Sequence, residues 1–151
     1  MKQTLRNFLA DGQLKQHKTS KKAISDLLAL IQRDLDDAGV TDVSNDWRYA
    51  MAYNAALQLA TIALYAEGLR TAGPSHHWLT FRVLPMIMGP GQKDNASYLN
   101  TCRVKRNTAD YDRAGLISEA EVEELIAETG AFREEVISWL RERHSDLLGN
   151  D

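Results

Sequence analysis

The sequence predicts an all-α protein, an antiparallel up-and-down bundle of four or five helices joined by short connections. Apolar residues recur at spacings of three and four along most of the chain, which places them on one face of each helix. Only three prolines and nine glycines occur among 151 residues, so the composition allows long uninterrupted helices. No stretch alternates apolar and polar residues between turn signals, and we therefore predict no strand.

Start and stop signals divide the chain into five long helices. Thr19 or Ser20 can cap the first, and Gly39 ends it. Ser44 or Asn45 can cap the second. Ser118 followed by a glutamate three residues later is a capping-box pattern for the last helix. The predicted helices span about 20–38, 46–70, 76–88, 94–114 and 119–148.

The chain length predicts one domain, a bundle over residues 19–148 preceded by a basic arm or short helix over residues 1–18. Residues 49–66 carry no formal charge, but polar residues and several alanines interrupt them, which favours a central buried helix over a membrane span. The N-terminus lacks the apolar core of a signal peptide. We therefore expect a cytoplasmic protein with no membrane partner.

The histidines and the cysteine predict no metal site and no cofactor. The four histidines lack the spacing of metal ligands, and the lone Cys102 excludes an internal disulfide. Cys102 lies on an apolar stripe, which is typical of a small core residue. Trp47, Trp78 and Trp139 also lie at apolar helical positions, so we predict that they pack in the core and do not stack on bases.

Charge is distributed unevenly along the chain, although the net charge is only −3. Residues 1–22 hold six lysines and arginines against one acid, whereas residues 119–135 hold seven glutamates against one cation. This asymmetry is compatible with an anionic or oppositely charged partner, or simply with two solvated helix faces, which we favour.

Residues 102–115, "CRVKRNTADYDRAG", concentrate charge at the end of the fourth predicted helix. The apolar stripe through Leu99 and Cys102 continues to Arg106 and then to Asp110. A guanidinium on a core-facing stripe must be paired or partly solvated. Asn107 and Tyr111 add an amide and a phenol. The cluster is typical either of a polar site or of a helix C-terminus, where cations suit the dipole.

The order of these segments resembles the HEPN superfamily, the higher eukaryote and prokaryote nucleotide-binding domains. The resemblance covers roughly residues 45–143: "YAMAYNAALQLATIALYAEGLR", "HHWLTFRVLP", "RNTADYD" and an acidic helix ending "FREEVISWL". It implies an all-α bundle that forms a two-fold dimer. It also implies either a metal-independent ribonuclease or one half of a toxin–antitoxin pair whose other half is a small nucleotidyltransferase.

The family's ribonuclease motif is an arginine, a polar residue, a few variable residues and a histidine. Arg106 and Asn107 match its first two positions, but Asp112 stands where the histidine is expected. An unperturbed tyrosine such as Tyr111 is a poor base at neutral pH, and Asp110 or Asp112 would need a raised pKa. His76 or His77, at the start of the third helix, could face Arg106 and serve as the base, although local packing of this pair is the favoured interpretation.

Two functions from different classes follow. In the first, the polar cluster binds RNA or a nucleotide in a toxin–antitoxin or defence-type module. Arg106 contacts phosphate, Asn107 orients it, Asp110 and Tyr111 position it, and His76 or His77 is the base if RNA is cleaved. In the second, the chain is a non-catalytic partner of a nucleotidyltransferase and docks through its acidic last helix or its basic arm. A third interpretation is that the cluster only holds a dimer together.

Overall fold

The computed structural model describes residues 4–73, 76–111 and 115–149, and residues 109–111 through their backbone alone. The described residues form a helical bundle with one small antiparallel sheet, which confirms the predicted all-α class. The helices are α1 (Leu5–Ala10), α2 (Lys21–Ala38), α3 (Asn45–Ala66), α4 (His76–Met88), α5 (Lys93–Tyr111) and α6 (Glu119–Arg143). The strands are β1 (Leu14–Gln16) and β2 (Leu69–Thr71).

Three predicted helix starts are confirmed by their side-chain caps. The Ser20 hydroxyl accepts a hydrogen bond from the Ala23 N–H at 3.1 Å, and Ser44 caps α3 in the same way. Ser118 and Glu121 form the reciprocal capping box at the start of α6. Each cap satisfies backbone donors that have no partner inside the helix. The helix register is therefore set locally, which fixes the face that each helix turns to the core.

Helix α3 is the centre of the bundle and packs chiefly against α2 and α6, with α4 and α5 on another side. Its alanines and leucines are buried on nearly every side, as predicted for the uncharged segment. Cys102 of α5 is buried in the same core. Among the described helices, none is long and apolar enough to span a bilayer.

The two strands correct the prediction that the chain has none. β1 and β2 pair with Leu14 opposite Thr71 and Gln16 opposite Leu69. Three-residue strands are too short to show an alternating pattern, and their pairing depends on residues more than fifty positions apart. The same sheet explains why α3 ends at Ala66 and not near Arg70: the backbone turns at Gly68, whose φ of +78° favours glycine, and enters β2.

The N-terminal segment, predicted as a basic arm or short helix, is docked on the bundle over its described residues. Phe8 of α1 and Leu14 of β1 are buried in a second apolar cluster. The bundle contributes four buried side chains to that cluster: Leu64, Leu69, Leu79 and Val83. This cluster anchors the first turns of α4, the helix that begins with His76 and His77.

The prediction that all three tryptophans pack in the core is wrong for Trp47 and Trp78, which are 68% and 37% exposed. Trp139 packs against the core as expected. Trp47 lies in the first turn of α3 next to the buried Arg48, so the neighbouring helices reach this level of α3 but leave the side of Trp47 uncovered. Periodicity gives the side of the helix to which a side chain points, but it does not show which sides the neighbouring helices cover.

Arg48 is a buried cation that the sequence did not single out. It is 2% exposed, although it lies in the first turn of α3. Its Nε donates to the Ala38 carbonyl at 2.8 Å, and one terminal nitrogen donates to Glu123 Oε1 at 2.8 Å. These bonds join the end of α2, the start of α3 and the first half of α6.

Candidate functional site

Helices α3, α4 and α5 bring one aromatic side chain, one histidine and two arginines to the same place. Tyr53 of α3 lies at the centre. Its hydroxyl is 3.3 Å from His77 Nδ1 of α4, and the Arg106 guanidinium of α5 lies over its ring, 5.6 Å from the centroid. Arg103 acts electrostatically on both Tyr53 and His77. We call Tyr53, His77, Arg103 and Arg106 the cationic cluster.

The bond between Tyr53 and His77 determines what the histidine can do. If the Tyr53 hydroxyl donates to Nδ1, then Nε2 carries the imidazole proton and is not a base. If Nδ1–H donates to the hydroxyl oxygen, Nε2 is left with a lone pair. Burial raises the pKa of Tyr53 well above its usual value, with Arg106 and Arg103 acting in the opposite direction. The phenol therefore keeps its proton at neutral pH and serves in either arrangement.

The surroundings of His77 keep its imidazole neutral. Burial, followed by the nearby His76, Arg106 and Arg103, lowers the pKa of His77 to about 4. A neutral imidazole beside arginines is compatible with a proton acceptor placed near a bound anion. The shift has a physical origin in the fold, because the arginines come from α5 and the burial comes from the contact between α4 and α3.

Arg103, Arg106 and Asn107 share one face of α5, since they lie three and four residues apart. All three are half-buried. The Arg103 Nε donates to Asn100 Oδ1 at 2.8 Å, which fixes its stem on the helix surface. Arg106 stands on the aromatic face of Tyr53, the arrangement of a cation–π contact. The face therefore presents two guanidinium groups and one amide next to His77.

His76 is directed away from the Tyr53 contact. It is exposed, and its Nδ1 lies 3.3 Å from the Gly73 carbonyl, so a neutral ring donates from Nδ1. The two histidine rings touch edge to face, with centroids 4.4 Å apart and planes at 86°. Only one of the pair reaches the cationic cluster, as the 100° offset between adjacent helical residues implies. The sequence left the choice open, and His77 is the one in contact.

The remaining predicted residues, Asp110 and Tyr111, lie on the last turn of α5. The structure describes their backbone only, and Asp112 lies outside the described residues. Tyr53 was missed by the sequence prediction. It lies inside an uncharged, mostly apolar run that was predicted as a buried helix, so the sequence gave no reason to single out its hydroxyl.

A cleft adjoins the cationic cluster along α3, and His77 lines it. Its volume is about 340 Å³. The walls come from α3, β2 and the first turns of α4, with Leu57, Gln58, Thr61, Leu64, Tyr65, Arg70, Thr71, His76, His77 and Thr80 as lining residues. Leu57 follows Tyr53 by one helical turn, so the cleft begins where the cluster ends.

Metal binding has no support in the described part of the chain, where no three histidine, cysteine or carboxylate side chains are grouped to hold an ion. The cluster has donors and one imidazole but no carboxylate among its four members. What it can do chemically is bind an anion through Arg103 and Arg106 and accept a proton at His77.

Comparisons with models of known protein families, with curated proteins and with solved structures give no match. The resemblance to the HEPN superfamily therefore stays a prediction from the sequence. The function has to be inferred from the geometry of the cationic cluster.

Proposed function

We propose that the chain is a HEPN-type protein that binds RNA or a nucleotide at the cationic cluster, as part of a toxin–antitoxin or defence-type module. One observation carries the proposal: Arg106, the first residue of the motif that the sequence shares with the family, lies on the ring of Tyr53, whose hydroxyl contacts His77. We propose that His77, a histidine from another helix, takes the role of the missing motif histidine.

Phosphate is the ligand chemistry that fits the cluster best. Guanidinium groups bind phosphate oxygens through paired N–H donors, and Arg103 and Arg106 come from successive turns of one helix face. Asn107 adds a neutral donor on the same face. A neutral His77 adds no charge, so the cluster keeps two fixed cations, and its charge is unchanged across the neutral pH range.

In the catalytic form of the proposal, the protein cleaves RNA by metal-independent transesterification. His77 Nε2 takes the proton of a ribose 2′-hydroxyl, and the 2′-oxygen attacks the adjacent phosphorus. The bond to the 5′-oxygen breaks, this oxygen takes a proton from water, and a 2′,3′-cyclic phosphate remains. Arg106 stabilises the charge on the phosphorane. The reaction requires the tautomer in which Nδ1–H donates to Tyr53.

The resemblance also implies a homodimer, and we propose that its interface uses the outer face of α4 and α5. Trp78 and Val104 are exposed apolar side chains on these two helices, next in sequence to His77 and Arg103. Contiguous exposed apolar surface marks an interface, and we propose that these two side chains belong to such a surface. A dimer through this face would bring the cationic clusters of two protomers toward one another.

A second candidate is a non-catalytic partner of a small nucleotidyltransferase. A group of exposed apolar residues lies where α2 ends and α3 and α6 begin: Val40, Trp47 and Leu116. Asn45 and Asp46 bond to residues 117 and 115, so the start of α3 and the segment before α6 are adjacent. Such a patch fits protein binding and not phosphate binding.

RNA cleavage in EDTA by the purified protein, with Arg106→Ala, His77→Gln and Arg141→Ala in parallel, tests these candidates. Arg141 is the matched control because it is an exposed arginine of α6 that lines a different groove. We expect cleavage by wild type and by Arg141→Ala, and loss in the other two variants. No cleavage and no RNA binding by a folded wild-type protein would refute the RNA proposal and favour the partner candidate.

A further inference from the structure

We propose that the cleft beside His77 is a nucleobase site, and that it takes a base with an exocyclic amine, of which adenine is the probe. The inference rests on the proposed function, because the base in the cleft and the phosphate at Arg106 belong to the same nucleotide. It goes further by giving the site a preference among bases, which neither the cationic cluster nor the sequence motif supplies.

The position of His77 is the first argument. Its Nδ1 faces Tyr53 in the cationic cluster, and the same side chain lines the cleft. If a ligand places an anionic group at the arginines and a planar group in the cleft, the part of the ligand that joins these two groups therefore lies beside His77. In a nucleotide the ribose occupies that middle position. The order phosphate, ribose, base matches the order Arg106, His77, cleft.

The shape and walls of the cleft are the second argument. Its volume of about 340 Å³ lies at the small end of the range for ligand pockets, which is roughly 300 to 1,000 Å³. Leu57 and Leu64 give it apolar wall area, and Tyr65 lies toward the far end along α3. The ring of Tyr65 stacks on His17, with centroids 4.1 Å apart, and is held in place by that contact. A rigid, partly aromatic slot favours a flat ligand.

The hydroxyl groups of two threonines that line the cleft are the reason to expect a base with an amine. Thr61 donates its hydroxyl proton to the Leu57 carbonyl at 2.8 Å, and Thr80 donates to the His76 carbonyl at 2.7 Å. Each hydroxyl oxygen is then left as an acceptor only. Thr80 is almost fully buried, so Thr61 is the more accessible of these two acceptors. An acceptor is satisfied by the amine of adenine, whereas a carbonyl at that position would repel it.

Arg70 completes the site at the open edge. It lies in β2, is exposed and lines the same cleft. Its side chain adds a cation to the wall of the cleft. The cleft thus offers a cation as well as an acceptor, a combination that suits one nucleotide within a longer strand.

Titration of the isotope-labelled full chain with adenosine, inosine and inorganic phosphate, followed by amide NMR shifts, separates this inference from the proposed function. Adenosine and inosine differ in having an amine or a carbonyl on the same ring carbon. We expect adenosine to shift the amides of residues 57–61 and to bind about tenfold more tightly than inosine, the discrimination that one hydrogen bond supplies. Phosphate should shift residues of α5 instead.

Two variants complete the test. Thr61→Val should remove the difference between adenosine and inosine, and Thr101→Val should leave it unchanged. Thr101 is the matched control, because its hydroxyl also donates to its own helix backbone but lies on the exposed side of α5. Arg106→Ala should abolish phosphate binding and leave adenosine binding intact.

The two failures are distinguishable. Equal binding of adenosine and inosine, or no binding of either, with phosphate binding still sensitive to Arg106→Ala, would overturn the nucleobase site and leave the proposed function standing. If the wild type binds no phosphate but binds adenosine more tightly than inosine, the proposed function is overturned and the cleft is supported as a base site.

Discussion

The Tyr53 hydroxyl and His77 Nδ1 are 3.3 Å apart, and this contact joins the central helix of the bundle to the first turn of α4. Both groups can donate or accept, so the position of one proton decides whether His77 has a free lone pair at Nε2. The two residues are 24 positions apart, and the contact is therefore a product of the tertiary fold.

The first prediction concerns this tautomer. If His77 is the base, ¹⁵N NMR of the imidazole should show Nδ1 protonated and Nε2 unprotonated at pH 7. In Tyr53→Phe the preference should weaken and RNA cleavage should fall by about tenfold to a hundredfold, part of the ~10² to 10⁴ that a positioned base contributes. Tyr98→Phe, which removes a phenol hydroxyl of α5 itself, is the control. Protonation at Nε2 in the wild type would exclude His77 as the base.

The second prediction is a pH dependence of stability. The pKa of His77 is lowered to about 4 in the folded protein from 6.5. Between these values the unfolded chain binds a proton that the folded chain does not, so the free energy of unfolding falls as the pH falls from 6.5 toward 4. Urea denaturation should show a smaller loss over this window in His77→Gln than in wild type. Parallel curves for the two proteins would contradict the burial of a neutral His77.

The third prediction is the salt dependence of RNA binding. Each phosphate contact releases counterions, so the logarithm of affinity falls linearly with the logarithm of salt concentration. Arg106→Ala should reduce that slope by about one contact. Lys22→Ala should not change it, because Lys22 pairs with Asp26 on the exposed face of α2. A reduced slope in the Lys22 variant alone would move the contact to the exposed face of α2.

The fourth prediction is that Trp78→Glu converts a dimer into a monomer. A carboxylate in an apolar interface would be desolvated without a partner, which disfavours association. Sedimentation velocity measures the change directly. Trp47→Glu is the control, since Trp47 is even more exposed but lies at the end of the bundle where α3 begins. Dissociation by the Trp47 variant and not by the Trp78 variant would place the interface at the other patch.

The fifth prediction tests the buried cation of α3. Arg48→Ala should lower the free energy of unfolding by about 3 kcal/mol, because it removes buried volume and the two hydrogen bonds that join α2, α3 and α6. Glu134→Ala, at an exposed pair on α6, should change it by less than ~0.5 kcal/mol. Urea denaturation measures both. A loss in Arg48→Ala no larger than that control would show that the buried pair contributes little.

The features that the sequence predicts correctly are those set within a few residues. Ser20, Ser44 and the box of Ser118 with Glu121 act on backbone groups three positions away, so their chemistry is complete in the local sequence. The all-α class follows from apolar spacing along each helix. Neither result requires knowledge of which helices are neighbours.

The features that the sequence misses depend on which helices meet. The pairing of β1 with β2, the burial of Arg48 and the contact of Tyr53 with His77 all join residues far apart in the chain. The exposure of Trp47 and Trp78 was mispredicted for the same reason, since it depends on which sides of α3 and α4 the neighbouring helices cover. The sequence placed Arg106 and the histidines in one candidate site, but it did not supply Tyr53, the side chain that connects them.

The small sheet has a consequence for how the protein opens. β1 pairs with β2, which lies at residues 69–71, so we expect the N-terminal segment to dock late in folding and to open as a separate unit. Its release would expose Leu79 and Val83, which lie in the first two turns of α4. Hydrogen exchange should then find the amide of His17, which donates to the Gly68 carbonyl, opening together with the start of α4, while the middle of α3 stays closed. The lifetime of the geometry around His77 is thus tied to a three-residue strand in the N-terminal segment.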